Sequence, residues 1–65
     1  SLRRDAATLD TLAAALAANG DYERAVAAAI AAQKFAIASG NERKVAALQS
    51  RVAGYRQGRA HVTLR

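Results

Sequence analysis

The side chains that could perform chemistry are few and stand apart in the sequence. His61 is the only histidine and the chain has no cysteine, so neither a metal site nor a catalytic pair has its usual ligands. Hydroxyl groups such as those of Ser39 and Ser50 have no adjacent base that could activate them as nucleophiles. The glycines, at positions 20, 40, 54 and 58, are either about 20 residues apart or close to the end of the sequence, so they do not form a phosphate-binding loop. We therefore expect a chain that is not an enzyme and carries no metal or cofactor.

Charged residues are unevenly distributed along the chain. All 5 acids lie before position 43, and every charged residue from position 43 onward is basic. The net charge of the chain is +5. Such a basic segment could contact the phosphates of a nucleic acid, or it could be the solvated face of a helix. The candidate anion-contacting residues are Arg43, Lys44, Arg51, Arg56 and Arg59.

Sequence-specific DNA binding is disfavoured by the second helical stretch. A recognition helix reads base edges with Arg, Lys, Asn, Gln, Ser or Thr near its start. The corresponding segment presents Glu23 and Arg24 and then the run Ala25-Val26-Ala27-Ala28-Ala29. The alternative that stays open is non-specific binding of nucleic acid through residues 43–65.

Length and composition limit the size of any core. The 65 residues form one domain, and a domain of this size buries only about 60% of the surface of its unfolded chain. Alanine, the commonest residue, favours helix but contributes little buried area. We therefore expect the unit to belong to a longer array or to form an oligomer. No segment has the roughly 20 apolar residues that span a membrane, and the absence of cysteine and of a signal peptide favours a cytoplasmic location.

Gly20 and Gly40 divide the chain into three predicted helices. Gly20 is expected to adopt a positive φ and to end the first helix. Three residues, each at a predicted helix start, are expected to act as N-caps: Asp5, Asp21 and Asn41. The short turns make successive helices antiparallel, which predicts an all-α, up-down-up fold. The predicted spans are about 5–19, 21–39 and 42–55, with a tail over 56–65.

The apolar residues repeat with the period of a helix. The first and third helices each have one apolar stripe, so the third is expected to cover the second from one side. The second helix is apolar nearly all round and is expected to pack on both neighbours, with close contact at Ala25 and Ala32. The large side chains expected to supply the core are Leu9, Leu12, Leu16, Tyr22, Val26, Ile30, Phe35, Ile37, Val45, Leu48, Val52 and Tyr55.

A helix–turn–helix pattern covers the segment from about Ala6 to Ser39. Its members are Leu9, Leu12, Ala13 and Leu16, then Gly20-Asp21-Tyr22-Glu23 at the turn, then the small residues Ala25 and Ala32. This segment resembles a tetratricopeptide repeat, a unit of about 34 residues. The segment from Asn41 to Tyr55 is similar to the C-terminal capping helix of such arrays. The pattern departs from the family at Leu9, where tryptophan is preferred, and at Ile37, where a proline closes the repeat.

The resemblance implies a protein–protein interaction or scaffolding module that takes a helical or extended peptide in a groove lined by first helices. The lysine, asparagine and arginine with which some family members clamp a terminal carboxylate are absent at the matching positions, so no such clamp is expected. An alanine-rich face suits close packing of another helix, including one from a second copy of the chain. Carried over by position, the groove face would consist of Ala7, Asp10, Ala14, Ala17 and Ala18.

Overall fold

The protein is composed of three α-helices joined by two short turns. The computed structural model describes residues 5–63, and it describes side chains over residues 5–58. Helix α1 spans Ala6–Ala18, α2 spans Tyr22–Ala38 and α3 spans Glu42–Thr63, with no β-strand among the described residues. The all-α prediction is confirmed: α1 and α2 pack closely as a hairpin, and α3 packs less extensively, mainly against α2.

The first turn is built by Gly20 and Asp21, which have separate roles. Gly20 has a φ of +81°, the left-handed conformation in which helices commonly end. The backbone amide of Asp21 donates at 2.9 Å to the carbonyl of Leu16, in the last turn of α1, which also accepts from the amide of Asn19. The Asp21 carboxylate accepts a hydrogen bond from the amide of Arg24 at 3.3 Å and so begins α2. The positive φ predicted at Gly20 is confirmed.

The second turn repeats this arrangement with Gly40 and Asn41. Gly40 has a φ of +71°, and the amide of Asn41 donates to the carbonyl of Ala36 at 2.9 Å. The side-chain oxygen of Asn41 accepts a hydrogen bond from the amide of Lys44 at 3.2 Å. Asp5 caps α1 in the same way, so all three predicted N-caps are confirmed. Because each turn ends one helix and begins the next within a few residues, neighbouring helices run antiparallel.

Alanines form the contact between α1 and α2. Ala13, Ala25, Ala29 and Ala32 are each fully buried, with 0% of their surface exposed. Helices can approach closely where only methyl groups separate their backbones, because the side chains at the contact set the interaxial distance. The burial expected at Ala25 and Ala32 is confirmed, and the contact follows the alanine face of α2.

Three large apolar residues lie outside this contact, which corrects the predicted core. Leu12 is 48% exposed, Phe35 43% and Ile37 64%. Helix α1 is buried along Asp10 and Ala13, and Leu12 is rotated by about 100° or more from both, since successive helical residues are about 100° apart. The repeat of leucines predicted that Leu12 would be buried. The alanines of α1 repeat with the same helical period, and because they are small they allow a closer contact with α2 than the leucines would.

Helix α3 lies beside α2 and completes two small apolar clusters. Leu48 is fully buried among Ala32 and Ala36 of α2 and Leu9 of α1. Val52 belongs to the other cluster, where α2 again supplies alanines. The Cα atoms span 39 × 27 × 12 Å, so the three helices form a flat layer with α2 in the middle. A flat layer leaves both of its broad sides open.

Helix α3 does not end near Tyr55, as the sequence predicted, but continues to Thr63. Gly54 and Gly58 lie within it although glycine weakens a helix. At Gly58 the missing side chain makes room for a neighbour, since a Cβ atom there would lie 2.8 Å from the Tyr22 ring. The Tyr22 ring therefore packs over the backbone of α3 at Gly58, and this tertiary contact supports the helix beyond the predicted end.

The alanine contact leads to a first prediction. Ala32→Leu should lower the free energy of unfolding by roughly 1–3 kcal/mol. Ala32 is fully buried in the cluster that contains Leu48 of α3 and Leu9 of α1, so a leucine side chain cannot fit there without separating the helices. Ala27→Leu is the matched control, since Ala27 is exposed on the same helix. Urea unfolding followed by circular dichroism measures both variants, and equal stabilities would contradict close packing at Ala32.

The two glycines of α3 lead to a second prediction. Gly54→Ala should raise the free energy of unfolding by about 0.5–1 kcal/mol, because the new methyl group meets nothing within 4 Å. Gly58→Ala should lack this gain, since the Tyr22 ring has to move. In a Tyr22→Ala background, Gly58→Ala should recover the gain seen at Gly54. Thermal unfolding of the set measures this coupling, and equal gains at both glycines in the wild-type background would exclude the ring contact.

Candidate interaction surfaces

An ion-pair cluster joins α1 to α3. Asp10 of α1 is buried, with 6% of its surface exposed. The Nζ atom of Lys44 donates to one carboxylate oxygen at 2.7 Å, and the Arg51 guanidinium donates to the other. Lys44 and Arg51 are seven residues apart, which places them two turns apart on the same side of α3. The three side chains therefore fix the rotation of α3 against α1.

The cluster determines the charge state of Asp10. Burial raises the pKa of the Asp10 carboxyl, because the charged form loses its water. The hydrogen bonds from Lys44 and Arg51, together with their positive charges, outweigh burial and hold the pKa below its ordinary value of 3.8. The side chains of Lys44 and Arg51 remain 28% and 46% exposed, so water partly screens both pairs. Asp10 is therefore ionised at neutral pH.

The face of α1 that was predicted to bind a partner lies next to this cluster. Ala7, Ala14 and Ala18 are exposed and Ala17 is half-buried. Asp10 is drawn into the contact with α3, so a partner on this face would meet a strip of methyl groups. The role of the five residues in partner binding stays a prediction.

The predicted anion-contacting residues are divided between two environments. Lys44 and Arg51 donate to the buried carboxylate of α1. Arg43 and Arg56 are exposed, and the side chain of Arg59 lies outside the described residues. Within the described part of α3, fewer unpaired basic groups are thus available than the sequence indicated, because Lys44 and Arg51 are paired with Asp10.

A shallow groove runs between α2 and α3, and we name it the α2–α3 groove. It consists of two adjoining depressions of about 380 and 420 Å³ that share Gln49. On the α2 side, Ile37 lines the first depression with a largely exposed side chain. Gln33 lines the second, and its Nε2 atom donates to the carbonyl of Val45 at 3.5 Å. The α3 residues that line the groove are Glu42, Val45, Ala46, Gln49, Val52, Ala53 and Arg56.

Sequence reasoning assigned Ile37 to the core and did not identify this groove. Ile37 lies in the last turn of α2, and α3 begins just across the second turn. The start of α3 therefore lies to one side of Ile37, and the Ile37 side chain stays largely exposed. The detectable signal was the regular spacing of Val45, Gln49 and Val52 on α3, which marks one continuous seam.

A second apolar area lies on the side of the α1–α2 hairpin that faces away from α3. Asp10 contacts α3, and Leu12 is two residues further on, a rotation of about 200°. Gln33 also contacts α3, and Phe35 follows it by the same interval. Leu12 and Phe35 therefore point away from α3, and they are 48% and 43% exposed. No helix within residues 5–63 covers this side.

Comparison with known proteins adds no family or function. No protein-family model, curated protein or solved structure matches the chain. Over the described residues, no helix is long and apolar enough to cross a bilayer. The described side chains also include no group of three or more histidine, cysteine, aspartate or glutamate residues placed to hold a metal ion.

The buried carboxylate leads to a third prediction. Asp10→Asn should lower the free energy of unfolding at neutral pH by about 1–3 kcal/mol, because an amide accepts more weakly from two cations. The pKa of Asp10 is lower in the folded chain than in the unfolded chain, so its stabilising contribution is complete above the ordinary value of 3.8 and declines as the pH falls below it. The difference from wild type should be constant between about pH 7 and 5 and should shrink below about pH 4. Urea unfolding over a pH series measures it.

Asp21→Asn is the control for this series, since asparagine caps a helix about as well as aspartate. Asp21 also forms its ion pair with Arg24 at the surface, where the pair contributes little. A difference for Asp10→Asn that does not change with pH, or that is no larger than the difference for Asp21→Asn, would contradict the assigned role of the cluster.

Proposed function

We propose that the chain is a protein–protein interaction module of the tetratricopeptide-repeat type, and not an enzyme. It binds an apolar helical or extended segment, which includes a segment of a second copy. The proposal is carried by the distribution of its apolar residues: the α1–α2 contact is alanine, while Leu12, Phe35 and Ile37 are 48%, 43% and 64% exposed. Covering such side chains with another apolar surface is favourable by roughly 25 cal/mol per Å² of apolar area.

The arrangement of the helices supports the tetratricopeptide-like assignment. Helices α1 and α2 form an antiparallel hairpin closed by Gly20, and the small residues Ala25 and Ala32 of α2 are fully buried. The flat layer leaves both broad sides open, as expected of a unit whose neighbours complete its packing. The hairpin and the open sides of the layer thus support the proposal beside the residue resemblance of the segment from Ala6 to Ser39.

The α2–α3 groove is the best-supported contact surface. A binding site needs apolar area for affinity and a few polar groups that orient the ligand. The groove supplies Ile37 and Val45 for the first purpose and the amide of Gln49 for the second. The predicted face of α1 offers mainly methyl groups, as at Ala7 and Ala14.

A fourth prediction tests the proposal by affinity capture from nuclease-treated lysate at about 200 mM salt, where phosphate contacts are weakened. The baits are the wild-type chain, Ile37→Ser and, as a control, Lys34→Ser, since Lys34 is exposed on the same helix. We expect a defined protein to be retained by the wild type and by Lys34→Ser and to be lost with Ile37→Ser, because serine removes the apolar wall of the groove.

The alternative is non-specific nucleic-acid binding by the basic segment, in which Arg43 and Arg56 are exposed. Binding through phosphates falls steeply between about 50 and 200 mM salt, whereas an apolar groove responds little. Retention of nucleic acid at low salt, with no protein whose capture depends on Ile37, would overturn the interaction proposal and favour this alternative.

A further inference from the structure

The α3 residues of the α2–α3 groove are arranged symmetrically about Gln49. On either side of Gln49 lie Ala46 and Val52 at three residues, Val45 and Ala53 at four, and Glu42 and Arg56 at seven. Positions with this spacing form one continuous seam along a helix, as in a coiled coil. If a second α3 lay antiparallel on this seam, each residue would meet its counterpart from the opposite end.

We propose that the protein forms a homodimer in which the α3 helices of two copies pack antiparallel about a two-fold axis through Gln49. The inference rests on the proposed interaction role and names the partner as a second copy of the chain. A two-fold interface uses the same patch on both copies, so the patch has to be complementary to itself. The seam of α3 meets this condition in charge and in side-chain size.

Charge complementarity selects the antiparallel pairing. At each end of the seam Glu42 of one copy meets Arg56 of the other, so the two-fold axis generates two opposite-charge pairs. A parallel arrangement would instead bring Glu42 onto Glu42 and Arg56 onto Arg56, which repel. Both residues are exposed, and the ion pairs within the described residues involve other acids. Glu42 and Arg56 are therefore available to a second copy.

Side-chain size is complementary along the middle of the seam. Val45 is half-buried and meets the exposed Ala53, and a small residue opposite a larger one lets two helices approach. Val52 is 7% exposed, so Ala46 of the other copy meets only its outer edge. On the axis Gln49 meets Gln49, and each side-chain amide has both donors and an acceptor for the other.

The same packing explains the most exposed large apolar side chain among the described residues. Ile37 lines the groove beside Glu42 and is 64% exposed. Since Arg56 of the second copy is placed at this end of the seam, its methylene groups cover Ile37 while its guanidinium reaches Glu42, as long basic side chains commonly do.

A fifth prediction tests the dimer by charge reversal. Glu42→Arg leaves two arginine pairs in a homodimer, and Arg56→Glu leaves two glutamate pairs, so each variant alone should dimerise roughly tenfold more weakly than the wild type. An equimolar mixture of the two variants has opposite charges at both ends and should form a heterodimer with about the wild-type affinity. Sedimentation equilibrium over a concentration series measures all of these.

Arg43→Glu is the control, because Arg43 is exposed on α3 outside the seam and its reversal changes the net charge by the same amount. Circular dichroism of each variant at low concentration checks folding, and recovery in the mixture shows that both variants keep a competent α3. The dimer is excluded if the wild type is monomeric up to about 1 mM, if the single variants associate as tightly as the wild type, or if the mixture does not recover.

Failure of the dimer and failure of the proposed function are distinguishable. If the wild type is monomeric and yet captures a different protein in a manner that depends on Ile37, the dimer is wrong and the interaction role stands. If each single variant dimerises more weakly and the mixture recovers the wild-type affinity, the α2–α3 groove binds a second copy of the chain.

Discussion

Where α1 and α2 pack together, the fully buried residues are alanines, namely Ala13, Ala25, Ala29 and Ala32. Such a contact packs densely, but each alanine removes little apolar surface from water. The contact cannot accept larger residues without separating the helices, so leucine, isoleucine and phenylalanine lie along its edges. Helix α3 covers some of those edges, and the others stay exposed. The exposed apolar residues on the open sides of the layer follow from this alanine contact.

Because the apolar core is thin, the position of α3 depends on directional contacts. Leu48 is buried near its start, and Asp10 accepts hydrogen bonds from Lys44 and Arg51. A buried carboxylate is strongly destabilising without partners, so a rotated or shifted α3 would leave Asp10 unpaired. The ion pairs therefore act mainly by excluding other placements of α3. Further along, the packing of Tyr22 against the backbone of α3 adds a second, steric restraint.

Helix starts, turns and the all-α class were predictable because their signals act within a few residues: a glycine that adopts a positive φ, and an Asx side chain that caps the next helix. The exposure of Leu12 and Ile37 could not be predicted in this way. Periodicity shows which residues share a face of a helix but not which face meets a neighbouring helix. The pairing of Asp10 was missed for a related reason, because its partners come from a distant part of the chain. The end of α3 was placed too early because the glycine penalty was weighed without the Tyr22 contact that offsets it.

The thin core also connects folding with association. Any surface that covers Ile37 and the seam of α3 adds apolar burial that the isolated chain lacks, and a partner that binds only the folded state stabilises it by mass action. When the partner is a second copy, the free energy of dimerisation becomes part of the free energy of folding. A unit with a large leucine core would need no such contribution and could stay monomeric. The small residues that bring α1 and α2 together therefore leave a chain whose stability would rise with any surface that covered its exposed apolar residues.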